Sequence, residues 1–509
     1  MILTMTIVFG GLAVSYLFLR FLLYVTQDAR EPPNIVDWLP FFSPLIGMIR
    51  EKSKFFLKLR DSYKLPIYTL RLPFFRIYVV NSTDLITLLQ KQWRIISFAA
   101  IVADAGGHVG MSMEAVKIMR DNITSEHGFS VSWPRFIMPA MAPGKDLDAM
   151  NKAAIKAFTT ETEKLRAKGR SIVGLGEQSR QAMVTATTEA VWGPQNPYRD
   201  AEVINAWKTF ESGFLTLAMF PFSTLLFPKL VRARERVAAA LIEYMRQGGY
   251  KTASGLIHKR FEHHHDQFGL AIDDIARTEL GNTFAVLGNS TPCAFWVHGE
   301  LSALVRESCE ESGDMVCSID LANIRTHCPV LQSTFHETLR YRAINYGLRL
   351  VIEDVLLDGR ILLKKGSILM IPATVQHTSI PAWGSDAGDF DYMRFALKPE
   401  PGGRGPNRNA FRGFGGGHVL CPGRHFASFE ITALAALMVL QFDVVPVETG
   451  VWAEPTCKNS PAQAGFPIPD KDIMVELRPR APNKKWRVTY SGGHEEFGVV
   501  SEGIGVNRT

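Results

Sequence analysis

The middle of the chain has apolar residues at the three- and four-residue spacing of one helix face. That spacing predicts helices at 149–170, 200–212, 230–247, 271–311 and 329–342. Short alternating stretches predict strands at 66–72, 76–80, 347–357 and 368–371, and Asp358-Gly359 is a hairpin turn signal. The strands do not alternate regularly with helices. The pattern therefore predicts a mainly α fold with a small β-sheet region at one side.

The first 24 residues are mostly apolar, with Arg20 as the one charged side chain. As a helix they reach roughly 36 Å, which is enough to cross a bilayer. No Lys or Arg precedes Arg20 and no small-residue cleavage site follows, which favours an uncleaved anchor over a signal peptide. The alternative is an unusually hydrophobic internal helix. Arg30, Lys52 and Lys54 follow the span, so we expect the body to face the cytosol.

Prolines follow the apolar stretch at positions 32, 33, 40 and 44. Helix does not persist through such a segment, and we expect it to form a stiff connector. The expected organisation is an anchor at 1–25, a proline-rich hinge at 26–45 and one catalytic domain at 46–509.

Composition narrows the chemistry. A hydrophobic content of 46% supports a large core, and six cysteines without a C-x-x-C pair argue against a zinc site and suit a reducing compartment. The net charge is +6, but no block of Lys or Arg and no nucleic-acid-binding module is readable. We therefore expect no nucleic-acid partner, and an acidic redox partner or an anionic membrane surface instead.

The stretch with the clearest chemistry runs from Phe414 to Arg424, a glycine-rich loop that leads Cys421 into an apolar helix predicted at 426–440. Pro422 suits the first helical position. The helix N-terminus is expected to lower the pKa of the Cys421 thiol, and the glycines admit a flat group. One anionic sulfur in such a loop fits an axial ligand of haem iron. A lone cysteine before a helix is more often a small buried hydrophobe.

This loop closely resembles the cysteine-ligand loop of the cytochrome P450 family, Phe-x-x-Gly-x-basic-x-Cys-x-Gly. The resemblance implies that Cys421 is the proximal thiolate ligand of haem b, with Phe414 near the sulfur and Gly423 in the loop. We match His418 to the basic residue, which in the family is more often Arg and contacts a haem propionate. Arg349 matches an arginine that the family often places on a strand as a further propionate contact.

One further propionate contact stays open. The family's common Trp-x-x-x-Arg is absent at its expected place, where Trp133 and Arg135 are spaced differently. Lys152 and Lys156 are alternatives, and the sequence does not choose between them.

Glu337 and Arg340 form a Glu-x-x-Arg pair on a predicted helix. Spacing alone favours a solvated surface pair of little energetic value. The family instead buries such a pair behind the haem and completes it with a second arginine, which Arg394 in Phe390-Asp-Tyr-Met-Arg394-Phe395 resembles.

The predicted helix 271–311 is interrupted at Gly288, Asn289, Ser290, Thr291 and Pro292. Pro292 cannot donate to the carbonyl at 288, which favours a kink with room for a ligand. In the family this helix crosses the oxygen side of the haem and carries an acid followed by Thr. Here Asn289, Ser290 and Thr291 are the candidate catalytic residues, and no acid lies between Glu279 and Glu300.

The segment Gly288 to Trp296 resembles the branch of sterol 7α-hydroxylases and prostacyclin synthase, and the ligand loop resembles filamentous-fungal members. By analogy the substrate pocket draws on five apolar segments: 100–130, 208–222, 284–291, 343–348 and 461–467. The resemblance implies a cytochrome P450 fold and insertion of one oxygen atom from O2 into a lipophilic small molecule. A terpenoid, alkaloid or polyketide pathway is the expected context.

The implied electron source is NADPH through a separate NADPH-cytochrome P450 reductase, at the endoplasmic reticulum membrane. Two alternatives remain open. One is a haem-thiolate isomerase or dehydratase that acts on a peroxide without a reductase, and the other is a non-catalytic haem sensor or carrier.

Overall fold

Helices make up most of the described chain, and their apolar faces meet in one large core. The computed structural model describes residues 2–36, 38–73, 75–219, 222–288, 306–309, 315–396, 407, 409–448, 452, 455–461, 464–480 and 484–491. The helices are α1 (Ile2–Thr26), α2 (Phe42–Glu51), α3 (Ser53–Tyr63), α4 (Thr83–Lys91), α5 (Phe98–His108), α6 (Met113–Arg120), α7 (Phe129–Met141), α8 (Lys145–Ala167), α9 (Leu175–Trp192), α10 (Ala201–Met219), α11 (Ser223–Leu226), α12 (Pro228–Arg246), α13 (Gly255–Phe261), α14 (Ile272–Leu287), α15 (Ile324–His327), α16 (Pro329–Arg342), α17 (Ala373–His377), α18 (Ile380–Trp383) and α19 (Arg424–Gln441).

The strands lie in small sheets beside the helices. They are β1 (Ile67–Arg71), β2 (Arg76–Val80), β3 (Ile96–Ser97), β4 (Ser171–Gly174), β5 (Arg306–Cys309), β6 (Met315–Asp320), β7 (Tyr346–Val351), β8 (Val355–Leu357), β9 (Ile361–Leu363), β10 (Ile368–Pro372), β11 (Phe442–Pro446), β12 (Met474–Pro479) and β13 (Lys485–Thr489). The largest sheet has the order β1-β2-β10-β7-β3, with β2 and β10 parallel and the other pairs antiparallel. This confirms the mainly α fold with a small β region.

The predicted hairpin forms at the predicted turn. Strands β8 and β9 pair antiparallel, and Asp358 and Gly359 both have positive φ, at 48° and 67°. Two consecutive positive φ values define the turn that matches the twist of a hairpin, which explains why Asp-Gly stands there. The single predicted strand 347–357 is wrong, because β7 ends at Val351 and β8 begins at Val355.

Helix α1 stands apart from the core. Its window Phe9–Thr26 has a mean hydropathy of 1.6 and only 6% of that window is buried, so by length and composition it suits a membrane span. The chain after it is held on the sheet, because the buried carboxylate of Glu31 accepts from Arg76 Nη1 at 2.6 Å and from the Tyr78 hydroxyl at 2.7 Å.

The expectation that helix stops throughout the proline segment is wrong at Pro44, which lies in the first turn of α2. Proline is tolerated there because first-turn amides have no helical partner.

The predicted long helix 271–311 is also wrong. Helix α14 ends at Leu287, and Arg306–Cys309 forms β5, which pairs antiparallel with β6. Helical periodicity cannot reveal this pairing, because the partner strand fixes it from outside the segment. The helix predicted at 329–342 forms with those bounds as α16, and the other predicted helices form with shifted ends: α8 begins at Lys145, and α10 continues to Met219.

Candidate functional site

The cysteine loop folds back on itself. The amide of Cys421 donates to the carbonyl of Phe414 at 2.9 Å, and Gly415 and Gly417 have positive φ of 78° and 61°. Only glycine adopts such a conformation at little cost, so these positions explain the glycine run. The loop leaves the Cys421 sulfur at the entrance of α19, within reach of an N–H donor on Gly423.

Gly423 also leaves space beside the sulfur. A side chain there would lie 3.9 Å from Cys421 Sγ and 3.5 Å from the methyl group of Met141 in α7. Pro422 is not the first helical residue, because α19 begins at Arg424 with Gly423 as its N-cap, which corrects the prediction for that position. Phe414 is buried, with its ring centroid 6.2 Å from that of Phe335.

The prediction that the helix N-terminus lowers the thiol pKa is wrong for the protein as described. Burial raises the pKa of Cys421 above its ordinary value, and the Gly423 amide and the Arg424 charge only reduce that rise. Withdrawal of the thiol from water disfavours its anionic form more than the local donors favour it. A cation bound to the sulfur would reverse this balance, since a coordinated thiol is deprotonated.

Two guanidinium groups lie together without an acid. Burial lowers the pKa of Arg349 to about 10, and the charge of nearby Arg412 contributes. Burial also lowers the pKa of Arg412 to about 10, and that side chain is only 5% exposed. Neither guanidinium forms an ion pair in the part of the chain that the structure describes. Buried cations are normally paired, so this arrangement suits a ligand that carries negative charge.

The sequence interpretation missed Arg412, which is one of four arginines near the cysteine loop together with Arg404, Arg408 and Arg424. Arg404 and Arg408 lie outside the described residues. Arg412 is buried, and its guanidinium lies against Gly416, where any side chain would meet Nη1 at 2.6 Å. No local pattern separates Arg412 from the other arginines, and only the close approach at Gly416 marks it.

His418 does not join the two arginines. Its ring is 4.9 Å from the ring of Trp93, and burial lowers its pKa, with Arg135 and Arg94 adding to the effect. The sequence explains this, because the family pattern has its basic residue two positions before the cysteine and Val419 stands there. The match of His418 to that position is wrong by one residue.

The sequence left open which further basic residue contacts a haem propionate, and the exposure of the candidates bears on that choice. Lys152 and Lys156 are both exposed on α8. Arg135 is exposed on α7 and binds Glu126 at 2.9 Å. None of these three residues places its charge inside the protein. The buried positive charge near the loop belongs to Arg412, with Arg349 beside it.

The Glu-x-x-Arg pair is buried, as the family resemblance predicts. Arg340 donates to Glu337 at 2.7 and 2.6 Å, and Arg394 Nε donates to the same carboxylate at 3.3 Å. Both Glu337 and Arg340 are at most 1% exposed. Arg340 also donates to the carbonyls of His377 and Ala387, which fixes the segment before the cysteine loop. Loss of one partner from such a buried pair costs about 3–5 kcal/mol.

The structure describes α14, the helix expected on the oxygen side of the haem, and the chain after it only as far as Gly288. The candidate catalytic residues Asn289, Ser290 and Thr291 lie outside the described residues. Two of the five expected pocket segments do come together, because the ring of Phe284 lies 4.7 Å from that of Phe214 and 5.5 Å from that of Phe210. This aromatic contact forms an apolar wall between α10 and α14.

Comparison with known proteins agrees with this geometry. The family model described as Cytochrome P450 matches residues 318–476. Cytochrome P450 monooxygenase nodJ of Hypoxylon pulicicidum is 32% identical, over 94% of this chain and 97% of that protein. This chain belongs to the cytochrome P450 family. A cytochrome P450 monooxygenase of Gibberella zeae is 28% identical over 89% of this cytochrome P450 and 88% of its own length.

The fold comparison gives the same result. The solved structure titled "Retinoic acid bound cyanobacterial CYP120A1" has a TM-score of 0.65 at 18% identity, and covers 89% of this cytochrome P450 and 100% of the cyanobacterial chain. Both kinds of protein in the predicted branch are among the similar proteins. Cholesterol 7-alpha-monooxygenase of Cricetulus griseus is 29% identical over 54% of this chain and 58% of its own length, and prostacyclin synthase of Rattus norvegicus is 28% identical over 43% and 48%.

This cytochrome P450 is therefore an oxidoreductase of the monooxygenase type, and the family implies haem iron with a thiolate ligand. The described residues fit that group. They provide one thiol at a glycine loop, one buried and one partly buried cation without an acidic partner for a dianionic ligand, and an apolar wall.

Proposed function

We propose that this protein inserts one oxygen atom from O2 into a lipophilic small molecule in fungal secondary metabolism. Residues 1–25 would anchor it in the endoplasmic reticulum membrane, 26–45 would connect, and 46–509 would form the cytosolic catalytic domain. The similarity to nodJ over nearly the whole length of both chains supports the reaction class. The observation that carries the proposal is the Cys421 loop beside the buried Arg412 and the partly buried Arg349, neither of which pairs with an acid among the described residues.

Each residue of the site has a separate task in this proposal. Cys421 holds the haem iron through its sulfur, and the Gly423 N–H donates to that sulfur and limits its electron donation. Arg349 and Arg412 neutralise the haem propionates. When bound, haem supplies the reductive activation of O2, with the balance RH + O2 + NADPH + H⁺ → ROH + NADP⁺ + H2O.

The chain supplies the surroundings of that chemistry. The rings of Phe210, Phe214 and Phe284 exclude water and favour an apolar substrate. Asn289, Ser290 and Thr291 would donate hydrogen bonds on the oxygen side, since an amide orients water although it is not an acid near neutral pH. Electrons would come from NADPH through a separate NADPH-cytochrome P450 reductase, because no flavin or dinucleotide-binding pattern is readable in the sequence.

The proposal is tested first at Cys421. In Cys421→Ala we expect loss of the red-shifted Soret band that a thiolate-ligated ferrous haem gives with CO, and loss of product. The matched control is Cys457→Ala, at another partly buried cysteine outside the loop, which should keep both. Wild-type product that carries no label after reaction under ¹⁸O2 with NADPH and reductase would contradict the monooxygenase assignment.

A second candidate reaction is isomerisation or dehydration of a peroxide without a reductase. The amide Asn289 in place of an acid favours it, as does the similarity to prostacyclin synthase. The two reactions separate in one comparison, because the peroxide reaction proceeds at the same rate with and without NADPH and reductase.

A further inference from the structure

A carboxyl group from helix α10 lies at the C-terminal end of α14. The last acidic residue of α14 itself is Glu279, more than two turns before that end. Glu211 of α10 lies so close to Gly288 that a methyl group placed on that glycine would be 3.6 Å from Oε1. The approach is held by packing, because the rings of Trp207 and Phe210 lie 4.5 and 5.5 Å from the ring of Phe284, one turn before Gly288. The position of this carboxyl group is therefore fixed by the helix contact.

The same carboxyl group faces a cation on its other side. Arg180 of α9 lies with Nη1 3.6 Å from Glu211 Oε2, and both side chains are about one quarter exposed, at 24% and 23%. Burial raises the pKa of Glu211, and the charges of Arg180 and Lys208 oppose that rise without cancelling it. A carboxyl group in this environment exchanges its proton closer to neutral pH than a solvated one does.

A cavity reaches Arg180 from solvent, and the side chain of Glu211 is itself 23% exposed. The cavity has a volume of about 370 Å³ between α9 and α10, and its lining includes Arg180, Glu177 and Lys208. The side chains of Glu177 and Lys208 are 61% and 36% exposed, so water reaches Arg180 from this side. Solvent, Arg180, Glu211 and Gly288 thus follow one another from the surface to the end of α14.

We propose that Glu211, positioned by Arg180, passes protons from solvent to the oxygen side of the haem pocket. The inference rests on the monooxygenase function proposed above, which consumes protons. It supplies the acid that the sequence lacks between Glu279 and Glu300. A carboxyl group on a neighbouring helix thereby replaces an acid on α14 itself.

The proton transfer balances with Glu211, Arg180 and solvent water alone. The protonated carboxyl of Glu211 gives its proton towards the end of α14 and becomes a carboxylate. Arg180 remains protonated throughout and stabilises that carboxylate. Because Glu211 is itself partly exposed, a solvent water then returns a proton to its carboxylate, and no further reactant is needed.

The first experiment compares Glu211→Gln with Glu202→Gln in the haem-loaded protein with reductase, NADPH and a substrate. Glu202 lies on the same helix, and its side chain is 82% exposed. For Glu211→Gln we expect the product formed per NADPH to fall about tenfold, with more hydrogen peroxide and a larger solvent isotope effect. This is less than the roughly 100-fold cost of losing a general acid completely, because water partly substitutes. Glu202→Gln should match wild type.

A second readout does not depend on turnover. In the infrared spectrum of the resting protein, wild type and Glu202→Gln should show a protonated carboxyl band that shifts in D2O and titrates above the usual range of a glutamate. Glu211→Gln should lose that band and keep only the band of Glu430, whose carboxyl is fully buried on α19 and has a pKa raised by that burial. Arg180→Gln should move the titration of the band to still higher pH, because the carboxylate loses its counter-charge.

The outcomes separate the two proposals. Glu211→Gln that couples NADPH to product as wild type does, or that keeps the infrared band, overturns the relay alone. Wild-type protein that makes no product with NADPH and reductase overturns both the proposed function and the relay. If Glu211→Gln does not bind haem, Glu211→Asp is measured by the same criteria, with an intermediate loss of coupling expected from its shorter side chain.

Discussion

At the residue scale, Arg412 and Arg349 are two like charges placed close together inside the protein. Such a pair destabilises the haem-free chain, because each guanidinium has left water without meeting an acid. The same charges attract a dianionic ligand strongly, since water does not screen them. The two effects have opposite signs, and this makes the role of Arg412 measurable.

For Arg412→Met we therefore expect opposite changes in two quantities. The free energy of unfolding of the haem-free protein should rise by about 1–3 kcal/mol, because an uncompensated buried charge is removed. Retention of haem should fall about tenfold or more, because one propionate loses its partner. Urea unfolding of the haem-free form and transfer of haem to apomyoglobin measure the two changes.

The conservative variant Arg412→Lys should keep most of the haem affinity, since it keeps the charge. A neutral effect of Arg412→Met on haem transfer would show that another group binds the propionates. The exposed Arg135, changed to Met, is the control that should alter neither quantity.

The sequence identified Cys421, Phe414, Gly423 and Arg349 from a motif, and the structure places all four at or beside the loop or on the strand expected. It did not identify Arg412, because burial arises from tertiary packing. His418 was assigned one position out of register, which the contact with Trp93 makes evident.

At the element scale, a π-helical turn at Glu262–Gln267 buries two neighbouring histidines. Nδ1 of His263 lies 3.0 Å from Nδ1 of His264, and its Nε2 lies 2.8 Å from the Ser132 hydroxyl. Burial lowers the pKa of His263 to about 4, and burial, His263 and Arg260 lower that of His264 well below its usual range. Both histidines are therefore neutral in the folded protein at pH 5.

This arrangement predicts acid lability. Unfolded histidine binds a proton near pH 6.5, while the folded groups do not, so stability falls as pH drops from about 6.5 towards about 4. Each histidine contributes at most about 1.4 kcal/mol per pH unit. In His263→Gln, which can still bond Ser132, we expect a smaller difference in the urea midpoint between pH 7 and pH 5.

His265→Gln is the matched control, because that neighbour is exposed and binds Asp266. It should leave the pH dependence as in wild type. Equal pH dependence in wild type and His263→Gln would contradict the assignment of acid lability to this turn.

Helices with long periodic patterns were predictable at this scale, but the ends matched the prediction at α16 and were shifted at α8, α10 and α12. The predicted helix 271–311 failed where β5 pairs with β6, since pairing partners lie outside any local window. The strand β2 was predicted with its observed limits because its alternation ends at a turn on both sides.

At the scale of the whole molecule, helix α1 meets the rest of the described chain mainly near its C-terminal end. Arg71 donates to the Thr26 hydroxyl at 3.0 Å and to its carbonyl at 3.3 Å, and Glu31 is bound by the sheet. The helix before this point is nearly bare of core contacts. The sequence predicted the span from length and composition, and it did not predict how firmly the next residues bind the sheet.

Deletion of residues 1–24 should therefore release the protein from membranes while leaving the haem spectrum and the thermal midpoint close to those of the full chain. The shortened chain keeps Thr26 and Glu31. Sedimentation with microsomes measures the first effect, and absorbance during heating the second. A shortened protein that loses haem would show that the anchor supports the fold.

The parallel pairing of Ile77 in β2 with Ile368 in β10 has a consequence for biosynthesis. Most of the nascent polypeptide separates these neighbours, so the early strands leave the ribosome long before their partner is made. Until then their hydrogen-bonding edges are open, and such edges recruit chaperones or aggregate. Co-expression of chaperones that cover open strand edges should thus raise the yield of this enzyme more than changes to its surface charge.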